Sequence, residues 1–418
     1  MLQQVCDEQE VDIFVSTYYT TPNETPSVCV AYDMIPELRG WDLNKPLIKD
    51  KHRSIENAAA YIAFSKNTAQ DIVKNFPDIS LDNVNIAEYG FDSSNFSVAT
   101  QKEIDDFKTK YGISKPYFIL VVGGSAYENS ILFLQAFTNL ASKNGFDIVC
   151  IGNDSAFERL LRNYTSGSSV YTLILEGREL ATAYSAALAL IYPSKYDYFI
   201  LPVIEAMACG CPVISGENPA VYEVAKEAAI FINDDDLDGM INAICEVQKL
   251  AVRRSLIYSG LIQAKRFSWS KMADDISTSL IKATLFSLNL REINFIIFPD
   301  WLQLEETISL ELERVIKAIA THPDSDRTTL LINITNISEE DAELLISSVA
   351  MTLMMKDGID FADGLQISPL VQLADIQWQV LLPKITARII LESENTVIIS
   401  QLSAHLLPCH HYNSFINQ

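Results

Sequence analysis

Residues 187–223 read ALALIYPSKYDYFILPVIEAMACGCPVISGENPAVYE, a succession that is typical of strand, loop, helix, strand and loop. The apolar run 187–192 ends at Pro193 and suits a strand that is buried on both faces of a parallel sheet. Pro202 fits the first helical turn, and Gly210 fits the left-handed position just past the last turn. The spacing therefore predicts a helix of roughly two turns after the strand.

Two carboxylates accompany this predicted helix. Asp197 lies in the preceding loop, and Glu205 lies within the helix among apolar neighbours. Open α/β sheets bind ligands where the carboxyl end of a strand meets a helix N-terminus, because free N–H groups and the helix dipole point there. The alternative is that Asp197 is a turn residue and Glu205 a solvated carboxylate.

The stretch resembles the donor-binding signature of family 4 (group 1) glycosyltransferases of the GT-B fold, S-x-Y-E-G-F-G-L-P-V-x-E-A-M-A-C-G. The resemblance implies that Asp197 holds hydroxyls of the donor sugar at the catalytic centre and that Glu205 holds the nucleotide ribose. It also implies that helix amides near Ile200 and Leu201 face the phosphate, and that no metal is bound. The matching residues are Ser194, Tyr196, Phe199, Leu201, Pro202, Val203, Glu205, Ala206, Met207, Ala208, Cys209 and Gly210.

The sequence departs from this signature in the loop. The first acid is Asp rather than Glu, and Tyr198 and Ile200 replace two glycines. Glycine allows positive φ and a close approach of backbone to ligand, so we expect both to be restricted here.

A second loop, GGSAYEN at residues 123–129, follows the predicted strand 117–122. In the family this loop faces the donor pyrophosphate and carries an Arg and a Lys, which implies that Gly123 and Gly124 contact the donor. Here Glu128 stands where the Lys would be, so the charge is reversed. Arg178 and Lys195 are the nearby basic residues that could replace it. Gly152, at the end of the next strand, is expected near the nucleotide base.

The segment before this loop resembles the second half of the acceptor-side domain of the family. The strands and glycine-rich loop that open such a domain have no counterpart, and we expect roughly 90 further residues ahead of Met1. Tyr32 precedes Asp33 where many members have His-Asp, which makes Tyr32 a candidate catalytic residue. A packed aromatic at a strand end is the alternative, because tyrosine is a weak base with a pKa near 10.

Downstream of the signature, Glu223 resembles the acid of the P-E-V motif that closes the donor pocket. An acid placed favourably near a helix N-terminus is the alternative. After residue 288, alternating strands and helices predict a small parallel α/β domain without a phosphate loop or nucleophile motif. This predicted domain is interpreted as an assembly domain or as a remnant of a second GT-B half. His410 and His411 are interpreted as a frayed tail rather than a metal site.

The composition argues against several classes of protein. The net charge of −23, from 54 acidic and 31 basic residues, opposes binding to nucleic acid or to anionic membrane surfaces. No apolar run reaches the length of a membrane span, and the acidic N-terminus does not resemble a signal peptide. Seven scattered cysteines lack metal-ligand spacing, so we expect a cytoplasmic protein with reduced thiols.

We therefore predict an α/β protein of GT-B type with two Rossmann-like parallel-sheet domains, the first incomplete, and a small C-terminal α/β domain. The predicted boundaries are 1–105 for the acceptor side, 106–288 for the donor side and 289–418 for the accessory domain. The predicted function is hexose transfer from a nucleotide sugar to an unidentified acceptor hydroxyl, without cofactor and with weak or absent turnover. The alternatives are a non-catalytic partner of another glycosyltransferase subunit and a sugar-binding or scaffold protein.

Overall fold

The structure is a computed structural model that describes residues 1–9, 11–122, 129–140, 142–152, 161, 164, 170–194, 200–285, 288–362 and 364–415. Within these residues the strands form three sheets, and every strand pairing for which a register is resolved inside them is parallel. Parallel strands need crossover connections, and the helices between them supply these. The predicted α/β class is thus confirmed.

The first sheet has four strands in the order β1-β2-β3-β4 among the described residues. The sequence predicts strands at residues 11–19, 27–36 and 61–65 and a helix from Ser54; the observed strands are shorter, and α3 begins eight residues earlier, at Pro46. The sequence also predicts Ser65 as the N-cap of a helix over residues 66–75, and its hydroxyl does cap α4 by accepting a hydrogen bond from the Thr68 amide at 3.0 Å. The elements are α1 (Leu2–Glu8), β1 (Phe14–Ser16), β2 (Ser27–Ala31), α2 (Ile35–Leu38), α3 (Pro46–Glu56), β3 (Ala60–Ala63), α4 (Lys66–Asn75) and β4 (Val84–Ile86).

The second sheet has the order β10-β9-β8-β5-β6-β7 in the described part of the chain. The order reverses between β5 and β8, and this switch point is where open α/β sheets bind ligands. Its elements, after α5 (Gln101–Tyr111) in the connecting segment, are β5 (Tyr117–Val121), α6 (Ser130–Asn139), β6 (Asp147–Ile151), β7 (Val170–Leu173), α7 (Gly177–Ala186), β8 (Ala189–Tyr192), α8 (Leu201–Ala208), β9 (Val213–Gly216), α9 (Pro219–Ala225), β10 (Ala229–Ile232), α10 (Leu237–Glu246), α11 (Leu250–Ala264) and α12 (Trp269–Thr284).

The start of α12 returns to the segment that follows the first sheet. Glu88 forms ion pairs with Arg266 at 3.5 Å and Lys271 at 2.5 Å. The backbone of Gly90 packs so closely on Trp269 that a Cβ at residue 90 would lie 2.6 Å from the Trp269 Cα. Residues 267–269, Phe-Ser-Trp, resemble the family's usual close before a last helix that crosses back, and α12 follows them in this way.

The third sheet has the order β13-β12-β11-β14-β15 within the described residues. If the strands of each sheet are numbered along the chain, this order matches that of β7-β6-β5-β8-β9 in the second sheet. The two sheets also share a backbone hydrogen bond to a proline carbonyl. The Leu190 amide donates to the Pro212 carbonyl in the second sheet, and the Arg388 amide donates to the Pro408 carbonyl in the third, both at 2.8 Å. The elements are β11 (Ile293–Ile297), α13 (Glu305–Ala320), β12 (Thr328–Asn333), α14 (Glu339–Asp357), β13 (Gln366–Leu370), α15 (Asp375–Leu381), β14 (Ala387–Ile390), α16 (Thr396–Gln401) and β15 (Cys409–His411).

The interpretation of His410 and His411 as a frayed tail is wrong. His410 pairs with Ile389 and His411 with Ile390, so both belong to the edge strand β15. The segment is too short and too polar for its periodicity to indicate a strand, and only the neighbouring β14 orders it.

Two compact units emerge from the packing. One consists of residues 1–14, 22–27 and 278–418, and the other of residues 15–21 and 28–277. The second unit contains nearly all of the first two sheets. The predicted boundaries at 105 and 288 separate the three sheets, but α1, which the sequence did not predict, belongs to the unit of the third sheet. The three-domain division stays a prediction.

Candidate functional site

The helix α8 matches the prediction made from the sequence signature. It follows the fully buried strand β8, has Pro202 in its first turn and ends at Gly210, whose φ of +69° is left-handed. These features place Glu205 in the middle of a short helix next to the sheet switch point. Its neighbours Ile204 and Ala206 are fully buried.

The carboxylate of Glu205 occupies an apolar environment. Burial, followed by the negative charge of Asp92, raises the pKa of Glu205 to about 7. The buried Tyr184 hydroxyl has no hydrogen-bond partner in the described part of the chain, and its pKa is raised by burial and then by the Glu205 charge. Glu205 is thus poised between its charged and neutral forms near neutral pH, which is characteristic of functional sites.

Asp92 is a second carboxylate at this site, and the sequence analysis assigned it no role. It accepts hydrogen bonds from the side chain of Asn95 at 2.7 Å and from the amide and hydroxyl of Ser94. These hydrogen bonds lower the pKa of Asp92, so it stays ionised while Glu205 titrates. The G-F-D triplet at residues 90–92 was the available sequence signal.

Ile200 and Leu201 start α8. Ile200 is the N-cap residue with φ −87°, and its side chain is only 2% exposed. The isoleucine therefore adopts an ordinary backbone conformation and packs inward, without the positive φ that a glycine could supply. The first turn offers few free N–H groups, because Pro202 has none and the Val203 amide bonds the Ile200 carbonyl at 3.0 Å.

Gly152 ends β6 with φ +116°. A Cβ at this position would lie 2.4 Å from the Val122 carbonyl oxygen, so the close approach of the ends of β5 and β6 requires glycine. This packing explains the residue without a ligand. The other predicted donor-loop residues, Gly123, Gly124, Glu128 and Asp197, together with Lys195, lie outside the described residues.

Tyr32 lies in an aromatic cluster rather than against Glu205. Its ring centroid is 5.9 Å from that of Tyr18 and 5.4 Å from that of Phe64. This arrangement favours the packed-aromatic alternative, and a catalytic role for Tyr32 stays a prediction.

Sequence analysis missed a buried charged cluster beside Tyr32. Lys51 is 1% exposed, and its ammonium lies 2.8 Å from Glu37 and 4.0 Å from Asp33. The Tyr18 hydroxyl donates to Asp33 at 2.7 Å, and burial, then the Asp33 charge, raises the Tyr18 pKa well above its ordinary value. Asp33 also accepts from the Ile35 amide at 2.7 Å and so holds the start of α2. No sequence spacing joins residues 33, 37 and 51, so only the fold could show this cluster.

Glu223, on α9, faces the N-terminus of α4. Its carboxylate accepts hydrogen bonds from the backbone amides of Lys66 at 2.9 Å and Asn67 at 2.6 Å. Glu223 is therefore an acid at a helix N-terminus, as the alternative interpretation has it, but the helix is α4 and not its own helix α9. Glu223 and Asn67 are 156 residues apart in the sequence.

Arg178 is bound to the segment around the start of α5. Its guanidinium binds both Glu103 oxygens at 2.9 Å and donates to the carbonyls of Asn95 and Ser97. Its hydrogen-bonding capacity is therefore largely used in holding the connecting segment before α5. Among the residues that the structure describes, no cluster of His, Cys, Asp and Glu has the arrangement of a metal site, and no helix has the length and apolar character to cross a membrane.

Known proteins provide an independent comparison. The profile of the family described as "Glycosyl transferases group 1" matches residues 116–249, which include the second sheet, Gly152, Glu205 and Glu223. The O-antigen chain mannosyltransferase B of Escherichia coli is 26% identical over 245 residues, 56% of this chain and 63% of the relative. The serotype-specific mannosyltransferase WbdA of the same species is 24% identical over 59% of this chain and 32% of its own. The chain thus spans less than two thirds of either relative.

Solved structures agree on the fold. The Anabaena protein HepE, solved in complex with UDP-glucose, has a TM-score of 0.54 at 13% identity over 62% of this chain and 72% of its own. WaaG, a glycosyltransferase involved in lipopolysaccharide biosynthesis, has a TM-score of 0.55 at 14% identity over 67% of this chain and 80% of its own. Both are similar to this chain in fold alone at that identity. Residues 116–249 of this chain thus match the model of the group 1 glycosyltransferases, and its fold is of the GT-B type.

Proposed function

We propose that this chain binds a nucleotide sugar and transfers its hexose to an acceptor hydroxyl, with weak or absent turnover. The observation that carries the proposal is Glu205, a largely buried carboxylate on α8 beside the switch point of the second sheet. A carboxylate in this position can accept two hydrogen bonds from a ribose diol, and burial strengthens such bonds. In this proposal Asp197 holds the sugar hydroxyls, and neither a metal nor an organic cofactor takes part.

The relatives support the choice of substrate class. Two of them carry the name mannosyltransferase, and the HepE structure contains UDP-glucose. In this proposal the donor lies across the ends of β5 and β8, at the switch point of the second sheet.

Weak turnover follows from the charge around the donor phosphates. Glu128 replaces the lysine of the family, and a carboxylate about 4 Å from a phosphate charge costs on the order of 4 kcal/mol at an effective dielectric near 20. The Arg178 guanidinium cannot offset the charge of Glu128, because it is hydrogen-bonded to Glu103 and to two backbone carbonyls.

These observations also favour a second candidate, a non-catalytic protein that binds a sugar or partners another glycosyltransferase. Such a protein keeps the fold and its hydroxyl-binding carboxylates, whereas it needs no phosphate-binding groups. The two candidates differ in whether nucleotide sugars bind.

Calorimetric titration with UDP-, GDP- and ADP-sugars, including GDP-mannose and UDP-glucose, tests the proposal. We expect micromolar binding of one donor, with loss of that binding in Glu205→Ala and partial retention in Glu205→Gln. Glu246→Ala, which removes an exposed glutamate on α10, is the matched control. Absence of binding for every donor would exclude the transferase and leave the second candidate.

The charge reversal can be tested alone. Glu128→Lys is expected to raise donor affinity if the pocket is otherwise intact. Combining it with Ile200→Gly is less informative, because Ile200 is buried and its removal leaves a cavity in the core. An unchanged affinity in Glu128→Lys would show that residue 128 does not face the phosphates.

A further inference from the structure

A cavity opens between α4 and α9, and Glu205 is not among the residues that line it. Its volume is about 410 Å³, within the range of small-molecule sites. We call it the α4–α9 cavity; its wall includes Asn67 and Gln70 from α4, Tyr222 from α9, Phe231 from β10, and Glu217. All of these residues belong to one compact unit.

One side of this cavity is aromatic. Tyr222 is 62% exposed, and its ring centroid lies 5.3 Å from that of Phe231 at an interplanar angle of 53°. The Phe231 contact holds the tyrosine ring in place while most of its surface stays open. Exposed apolar surface of this kind is typical of ligand sites, and the C–H face of a pyranose ring is a suitable partner for it.

The opposite side is made of amides. Gln70 is exposed on α4, and its side-chain amide can both donate and accept hydrogen bonds. Asn67 donates from its side-chain nitrogen to Asp71 at 3.0 Å, and this fixes the orientation of its amide. Such paired donors and acceptors complement hydroxyl groups.

The charge of the cavity excludes anions. Glu217 and Glu223 line it, whereas no lysine or arginine side chain does so among the described residues. Glu223 is held by the amides of Lys66 and Asn67 at the start of α4, so these amides are not free to bind a phosphate. The negative charges of Glu217 and Glu223 repel a phosphate, whereas a neutral polyol carries no charge to be repelled.

We propose that the α4–α9 cavity binds a neutral pyranose unit of the acceptor saccharide, with Tyr222 beneath the sugar ring and Gln70 on its hydroxyls. This inference rests on the proposed function. β10 is the edge strand of the second sheet and lies two strand spacings, roughly 10 Å, from β8. The cavity therefore holds a unit further along the acceptor than the one that receives the hexose.

Binding of neutral trisaccharides tests this site. Mannotriose, maltotriose and cellotriose are titrated against the full chain by saturation-transfer NMR and calorimetry. We expect at least one to bind, with a loss of tenfold or more in Tyr222→Ala and near-normal affinity in Tyr222→Phe. Tyr258→Ala is the matched control, because Tyr258 is 69% exposed on α11 and outside the cavity. Equal binding by Tyr222→Ala, or no binding of any trisaccharide to the unaltered chain, overturns the proposal.

Two further measurements separate this site from the donor site. Inorganic phosphate is expected not to displace the bound trisaccharide, and displacement would overturn the assignment to a neutral ligand. Nucleotide-sugar binding is expected to be unchanged in Tyr222→Ala. If the unaltered chain binds a nucleotide sugar but no trisaccharide, only the cavity proposal is wrong. If it binds a trisaccharide but no nucleotide sugar, the proposed transferase function is wrong and the cavity is still a sugar-binding site.

Discussion

The Glu223 carboxylate accepts a hydrogen bond of 2.6 Å from the backbone amide of Asn67, and its other oxygen accepts one from Lys66. A side chain on α9, between β9 and β10 of the second sheet, thus caps a helix that follows β3 of the first. Helix N-termini favour negative charge, because their first amides lack partners and the helix dipole is positive there. Ser65 satisfies the Thr68 amide of the same turn, so the two side chains together cap α4.

Glu223→Ala is therefore expected to lower the free energy of unfolding by about 1–2 kcal/mol, because two amides lose a charged acceptor. Urea unfolding measures the loss, and hydrogen exchange at the amides of Lys66 and Asn67 locates it. Glu227→Ala, at an exposed glutamate just beyond α9, is the control and is expected to change little. Unaltered exchange at residues 66 and 67 would contradict the cap.

The pKa of Glu205 makes stability depend on pH. The folded pKa of about 7 exceeds the unfolded value of 4.5, so the folded state binds the proton more tightly. The penalty for burying the charge is absent below pH 4.5, grows as pH rises towards 7 and is complete above it. Glu205→Gln removes this penalty. Relative to the unaltered chain, we expect this variant to gain roughly 3 kcal/mol between pH 4.5 and pH 8. Urea unfolding at both pH values measures it, and a difference independent of pH would show that Glu205 is solvated.

Because Gly90 has no side chain, the start of α12 can pack directly against its backbone. A Cβ there would lie 2.6 Å from the backbone of Trp269, and backbone cannot yield as a flexible side chain can. Gly90→Ala is expected to cost about 1–3 kcal/mol, by analogy with overpacked cores, and to lower the thermal midpoint. Gly145→Ala is the matched control, since a Cβ at residue 145 meets nothing within 4 Å. Equal midpoints for the two variants would contradict the close contact.

Sequence patterns predicted those features that depend on neighbours in the chain. Pro202 and Gly210 bounded α8, and Ser65 bounded α4, because caps and turns are set by residues within one helical turn. The strands were predicted in place but too long, since apolar runs continue into the buried turns that follow strands.

The remaining features depend on residues that are distant in sequence. Glu223 meets Asn67 across 156 residues, and the buried Lys51 is tolerable only because Glu37 and Asp33 surround it. β15 is a strand because β14 lies beside it. Tyr222 gave no signal in the sequence, because its exposure and its contact with Phe231 arise only when α9 packs beside β10. The donor side of the site was thus predictable as a motif, whereas the cavity beside it was not.

Donor binding should also depend on pH, because a ribose diol donates hydrogen bonds and needs Glu205 as a carboxylate. With a pKa of about 7, the ionised fraction rises from roughly one tenth at pH 6 to roughly nine tenths at pH 8. We therefore expect donor affinity to increase about tenfold between these pH values. In Glu205→Gln, which cannot ionise, the same titrations should give a weak and nearly constant affinity. Asp92 stays ionised over this range, because its hydrogen bonds lower its pKa, so Asp92→Asn should preserve a pH dependence and shift its midpoint downwards. An affinity that falls as pH rises would instead assign the ligand to the protonated carboxyl, and Glu205 would then donate to the ligand rather than accept from it.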